Sequence, residues 1–560
     1  MRSPGTARYS RNRLSRRAGP RPGRGRRRYL GAVRGEIFRD RRSRQSRILV
    51  LDNHDDFGGH ARRNEFDVDG KTLLCYGGSQ TIDSPARYSR VAKQLLLDLG
   101  IHTERFYDYF DQGYFRRRGM KPGIFFDRAR FGVDRLVANP LGGFYGELDS
   151  DDAVREAVAA MPIAEADQAD LLRLLAGGVD YLDGHPADAK RRILNDISYL
   201  DFLERYAGMP ASVRDILRDT FLPMIAVGWE AESALQAAHY WFPGTWELGI
   251  QHDEGREEPY IHHFPDGNAS VARALVRDLL PAAIPGSTME DLVTARADYS
   301  QLDRADADVQ IRLGSTAIDV AHSANGEFVD VSYFRHGRMF RARARHVVLA
   351  CYNGMIPHLC REVPDDQVEA IRYATKIPLV IGNIAIRNWR AFADAGHHMI
   401  YSPGDVFFKY MPLDFPVSMG GYRYAANPDD PVVISAWYSP TTQGLPAKEQ
   451  YRLGREKLLE MSYDDFEQDI YAHLDGMLGG HGFDAEREIA AITINRWPHG
   501  YAYEFEGVGV PTDYGRHHGP HIRGRAQIGR ISIANSDSEA YAYVDGAIDA
   551  ADRAVDEQLG

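Results

Sequence analysis

The stretch from Ile48 to Phe66, ILVLDNHDDFGGHARRNEF, constrains this chain more than any other. Ile48 to Leu51 is a short run of branched apolar residues, the pattern of a strand buried on both faces of a parallel sheet. The run ends at Asp52. An acidic residue at the C-terminal end of the second strand of a dinucleotide-binding unit can accept hydrogen bonds from a ribose. Gly58 and Gly59 follow, where a backbone needs positive φ or close approach to a ligand. Arg62 and Arg63 are then candidates to face a pyrophosphate. The plainer reading of the same residues is a buried strand and a glycine turn.

With 560 residues the chain exceeds the size at which single cores stop growing, so two or more domains are expected. No run of 18 apolar residues occurs, which excludes a transmembrane helix at the level of sequence. The three cysteines, Cys75, Cys351 and Cys360, make neither a disulfide framework nor a zinc site, and they exclude a CxxCH haem attachment. No metal site is expected.

The net charge of −11 hides two parts. Residues 1–47 hold seventeen arginines, no lysine and two acids, Glu36 and Asp40, for a charge of +15, which leaves −26 on the remainder. An acidic body favours cationic ligands and disfavours nucleic acid. The basic arm on it reads as a nucleic-acid or membrane tail, or as something else. Arginine without lysine, mixed with Gly, Pro and Ser, is what a GC-rich gene gives in the wrong frame. Arg27 to Phe38, RRYLGAVRGEIF, can be encoded so that a shift of one base reads GGISGLSAAKF. That is the tail of a dinucleotide fingerprint opening an amphipathic helix, at the distance before Ile48 that a βαβ unit needs. The hypothesis is that a frameshift has overwritten the first strand and its phosphate-binding turn; an unambiguous in-frame reading on resequencing would remove it. As written, the pyrophosphate would lose its backbone cradle and helix N-terminus.

The segment LDNHDDFGGHA, Leu51 to Ala61, and the segment YVDGAIDA, Tyr543 to Ala550, together resemble the flavin-dependent amine oxidoreductases, most closely the bacterial spermidine dehydrogenase-like family. The resemblance runs from about Ile48 to the C-terminus. It implies an α/β fold: an FAD-binding Rossmann-like domain of the glutathione reductase/amine oxidase type with an α+β substrate domain, its first βα unit degraded. The implied division is residues 1–47 as an arm, 48–102, 257–370 and 490–560 as a discontinuous FAD-binding domain, and 103–256 with 371–489 as a substrate or cap domain.

The resemblance also implies site residues. Asp52, Gly58, Gly59 and Arg62 would serve the cofactor, and Gly77 and Gly78 would pass close to the flavin ring. Lys376 falls where amine oxidases hold a water against flavin N5; a solvated strand-edge lysine is the alternative. Trp497, Tyr501 and Tyr503, in INRWPHGYAYEF, would wall an aromatic cage for an amine. Asn535, Ser536 and Asp537 close the strand Ile531 to Ala534 and would bind ribityl or phosphate-side hydroxyls. Val544 and Asp545 open a helix whose N-terminal amides would face the pyrimidine end of the flavin. His499 is read as polar lining, a haem ligand or a structural histidine. Asp266 is read as a contact for a substrate ammonium or a helix cap, and Ser270 as a cap.

The activity implied is oxidation of an amine, a polyamine such as spermidine, by hydride transfer to flavin N5, with FAD as cofactor and an unknown electron acceptor. Related dehydrogenases add haem as a second cofactor. A homodimer is one option, and no nucleic-acid partner is expected. The compartment is cytoplasmic as written, or periplasmic if the true N-terminus carries a signal. Two rivals stand beside this reading: an inactive relic of the same fold that no longer holds FAD, and a basic-arm interaction protein.

Elsewhere the spacing predicts an amphipathic helix over Tyr88–Leu99 with Gly100 just beyond it. Helical spacing also marks Asp151–Leu175, and Ser198 with Asp201 forms a capping-box pattern. A hairpin is expected around His336–Gly337, between Glu327–Phe334 and Arg338–Arg343, followed by a buried strand at His346–Cys351.

Overall fold

The structure is a computed structural model that describes residues 46–250, 258–504, 507–511 and 514–560. The arm's first 45 residues, with the expected phosphate turn and the reading-frame hypothesis, lie outside the described residues. In chain order, β1 (Ile48–Leu51) precedes the hairpin β2 (Arg63–Val68) and β3 (Lys71–Tyr76). A helix over Arg90–Asp98 follows; Ser89 Oγ accepts the Ala92 amide at its start, and Gly100 beyond its end has φ of +73°. β4 (Lys121–Phe126) and β5 (Arg135–Ala138) lead into a helical stretch that includes Asp151–Ala159, Glu165–Leu175 and Ala187–Asp196. Ser198 and Asp201 form the expected capping box.

After the helix Ala269–Leu279 come β6 (Val309–Arg312), β7 (Ser315–His322), β8 (Val329–Arg335), β9 (Arg338–Ala344) and β10 (Val347–Leu349). β11 (Ile377–Ile386), β12 (His397–Tyr401), β13 (Tyr410–Pro412) and β14 (Val432–Tyr438) then precede β15 (Ile489–Tyr501) and β16 (Ile531–Ile533). The last helix spans Val544–Leu559.

Seven strands form one sheet in the order β15-β11-β14-β13-β12-β4-β5. β11 and β14 are buried at every residue, which explains their near-continuous apolar sequence. Their polar exceptions are tied in: Asn383 Nδ2 donates to the Tyr76 carbonyl at 2.7 Å, and the Tyr76 and Ser435 hydroxyls lie 2.7 Å apart. Both bonds tie the β2–β3 hairpin to the sheet. β15 begins one residue before the expected domain boundary at 490 and pairs antiparallel with β11 along most of its length.

Strands β1, β6, β10 and β16 are arranged differently. β1 pairs in parallel with β6, and β10 in parallel with β16, as two separate two-stranded ladders. Among the described residues no strand joins them. The expectation that Ile48–Leu51 is buried on both faces is therefore corrected: all four residues are only half-buried, because β1 has one described neighbour. The ladders still share side-chain packing. Ile48 and Val50 pack in the core that holds Val544, Ala547 and Ile548 of the last helix, and Leu51 packs against the core of Leu349, Ile531 and Ile533.

Two local expectations are also corrected. Ser270 lies inside its helix, and its hydroxyl donates to Asp266 Oδ1 at 2.6 Å, leaving Asn268 as the N-cap residue without a side-chain cap. Arg63 does not face a ligand site. It donates to Asp266 at 2.6 Å and to the Val293 carbonyl at 2.8 Å. Asp266 is fully buried and held by these partners.

Candidate active site

A cavity of about 960 Å³ is lined by the Gly59–Ala61 turn, the approach to the last helix and the seven-stranded sheet. Gly59, His60, Ala61 and Gly78 line one wall; Asn535, Ser536, Asp537, Tyr543 and Val544 line the next. The far wall is aromatic, with Phe144, Tyr410, Phe415 and Trp437. Five carboxylic acids, Asp83, Asp111, Glu147, Glu504 and Asp537, reach the lining, and among the described residues no lysine or arginine does.

The glycines have physical reasons to be glycine. Gly58 has φ of +103° and Gly59 φ of +59°. A Cβ on Gly58 would stand 2.5 Å from the Ala61 carbonyl oxygen. A Cβ on Gly77 would collide with the Asn64 and Asn495 amides, and one on Gly78 with the His60 carbonyl and, at 3.1 Å, the Trp497 ring. The Gly77–Gly78 turn thus sits flush against β15. Trp497 Nε1–H donates to the Gly77 carbonyl at 2.5 Å, and His60 Nε2 lies 3.0 Å from the His499 carbonyl. The His60 and Trp497 ring centres are 5.0 Å apart.

The remaining sequence-predicted residues fall into three groups. Gly59, Gly78, Trp497, Tyr501, Asn535, Ser536, Asp537 and Val544 meet at the cavity. Gly58, Gly77, Lys376 and Asp545 stand just behind it. Lys376 Nζ pairs with Asp537 Oδ1, both side chains almost fully buried, and its ammonium is 5.1 Å from the Tyr352 ring centre. Asp537 Oδ2 accepts the Asn353 amide at 3.0 Å, and Asn535 Nδ2 donates to Asn353 Oδ1 at 2.8 Å. Asp545 pairs with Arg516 at 3.1 Å, and burial holds its carboxyl above the usual range.

The third group is outside the cavity lining. Asp52 is buried; its Oδ1 accepts the His54 amide at 2.9 Å and its carbonyl accepts the Ser315 amide at 2.6 Å. Arg62 lies 3.5 Å from Asp56. Tyr503 packs with Tyr373 and Tyr514, at centroid separations of 5.9 and 5.7 Å. The His499 ring packs at 4.9 Å on Tyr352.

Sequence reasoning missed several lining residues. His60 stood inside the glycine motif. Tyr543 opened the YVDGAIDA segment, whereas Tyr240 and Tyr260 carried no motif; burial raises all three phenols. For Tyr543 the neighbouring Tyr240 contributes most. Glu504 follows Tyr501 by three residues, and burial pushes its carboxyl up to about 8. The Ala542 amide, which donates to Glu504, and the Lys376 charge both act in the opposite direction.

No family profile matches the sequence, and no curated protein is significantly similar to it. Solved structures do align. Putrescine oxidase, in a structure of the wild type bound to putrescine, is 16% identical over 95% of this chain and 97% of that chain, with a TM-score of 0.53. Cyclohexylamine oxidase from Brevibacterium oxydans is 13% identical over 95% of this chain and 96% of that one, with a TM-score of 0.52. The chain has the FAD-binding amine oxidase fold. No described helix is long and apolar enough to cross a membrane.

Proposed function

We propose that the protein is an FAD-dependent oxidoreductase that oxidises an amine, in particular a polyamine such as spermidine, by hydride transfer to flavin N5. The carrying observation is the cavity wall: aromatic faces and five carboxylic acids, with no cationic side chain among the described residues. Such a lining favours a cation through ring faces and charge. The fold likeness to putrescine and cyclohexylamine oxidases supports the same class.

The described residues fit the flavin end of the cofactor. Gly59 and Gly78 leave backbone bare at the wall, Asn535 to Asp537 offer polar groups, and the helix N-terminus at Val544 opens onto the same space. These residues would hold FAD, which when bound supplies the hydride acceptor. Trp497 and Tyr501 would orient the amine by its cation–π attraction. Lys376, paired with Asp537 Oδ1 just behind the lining, would anchor that carboxylate at the site. Haem and Tyr503 have no part in this reading.

A second reading, the same fold without cofactor, is favoured by the two unjoined ladders. The spectrum of the purified full chain, supplied with FAD, separates the two. The amine oxidase reading requires flavin absorbance that travels with the protein and bleaches on anaerobic addition of spermidine or putrescine. A colourless protein that never retains FAD overturns it and establishes the relic.

A further inference from the structure

We propose that Glu504 is the receptor for the ammonium group of the bound amine, and that seating the cation there drives the carboxyl to ionise and release its proton to solvent. This rests on the amine reading above but goes beyond it, because it assigns a proton-coupled binding step to one side chain.

Three features of place carry the inference. Glu504 lines the cavity and keeps part of its surface open to it, with protein on its other sides. It shares that lining with the phenol rings of Tyr240, Tyr501 and Tyr543, which can surround a cation with ring faces. Its carboxyl accepts the Ala542 amide, which fixes it at the approach to the last helix.

Among the described residues, the charged and titratable neighbours leave the carboxyl without an ion-pair partner of its own. Lys376, at the start of β11, is already matched by Asp537. Asp545 of the last helix adds repulsion, as the causes of the Glu504 shift show. Tyr240, Tyr501, Tyr514, Tyr541 and Tyr543 feel Glu504 as a charge that raises them further. The empty site at neutral pH therefore holds a mostly protonated carboxyl, since burial places its midpoint near about 8. An incoming ammonium supplies the missing countercharge and pulls that midpoint down. At pH values well above 8 the group is already ionised, and binding releases nothing.

The test uses tert-butylammonium, a cation with no α-hydrogen, so it cannot be oxidised. Full-chain protein in its FAD-loaded form is titrated by calorimetry in buffers of different ionisation heat. The expected result is release of close to one proton per cation at about pH 7, fading by about pH 9. Glu504→Gln should bind about tenfold more weakly, with no proton release, while Glu504→Asp retains some release. Thermal unfolding of both variants checks that the fold persists. Binding to the wild type without proton exchange, no binding at all, or unchanged affinity and release in Glu504→Gln would each overturn the assignment. Flavin bleaching by amines without proton-coupled binding sinks the role of Glu504 and leaves the amine oxidase reading. Proton-coupled binding without bleaching does the reverse.

Discussion

The two sides of the cavity are built to different standards of closure. In the seven-stranded sheet, β11 and β14 are buried at every position and each has a neighbour on both edges, so the wall bearing Tyr410 and Trp437 is continuous with that sheet. Elsewhere, β1 and β10 each have a single described partner, and among the described residues no strand joins their ladders. The comparison teaches that an aromatic, acidic cavity wall can be assembled on a closed sheet while β1 stays half-buried beside its single described neighbour.

Removing a large side chain from the closed region should have the greatest effect. Phe408 is fully buried, and a Cβ on Gly382 would lie 3.1 Å from its ring. Phe408→Ala should destabilise the protein by about 3–5 kcal/mol in urea unfolding. A loss below about 1 kcal/mol would show that the sheet is not packed as described.

A pH series sharpens the contrast. Burial lifts the Asp414 carboxyl to about 7, against a weak opposing bond from the Phe415 amide. The folded state then keeps a proton that the unfolded chain surrenders near its ordinary pKa of about 4. Because the folded state binds more protons, stability falls as pH rises between these values and levels above about 7. The Asp414 share of the loss from about pH 5 to about pH 8 is roughly 2–3 kcal/mol, and Asp414→Asn should remove that share while the slope from Glu504 persists. An identical slope in the variant would assign the pH dependence elsewhere.

The smallest effect compares like with like. Val380 on β11 is fully buried, whereas Val50 on β1 is half-buried. Val380→Ala should cost about 2 kcal/mol and Val50→Ala about 1 kcal/mol or less. Equal losses would break the distinction between the two regions.

Much of this was legible from local pattern. The last helix, the hairpin around His336, the capping box at Ser198 and the helix ending near Gly100 stand where spacing and turn chemistry place them. His336 even adopts the left-handed φ of +47° that such a tight turn demands. The misreadings arise from contacts distant in sequence. Arg63 looked like a phosphate ligand but is taken up by Asp266, 203 residues away. The alternative of a solvated lysine at 376 fails in the same way, because Lys376 is buried and answered by Asp537 across 161 residues. Glu504 escaped notice because it sits in a loop after β15, where neither period-two nor helical spacing marks which way a side chain faces. The half-buried state of β1 depends on which strands flank it, and a four-residue apolar run does not encode that.

β15 is the common spar of the molecule. Along one edge it belongs to the large sheet through β11; farther on, Asn495 reaches Asn64, Trp497 reaches Gly77 and the His499 carbonyl meets His60. A fragment cut near residue 490 would therefore strip β11 of an edge partner and unpin the glycine turn in the same stroke. Dissection into independently expressed halves should yield two aggregating pieces, and the unit that works is the one in which a single strand is shared by both.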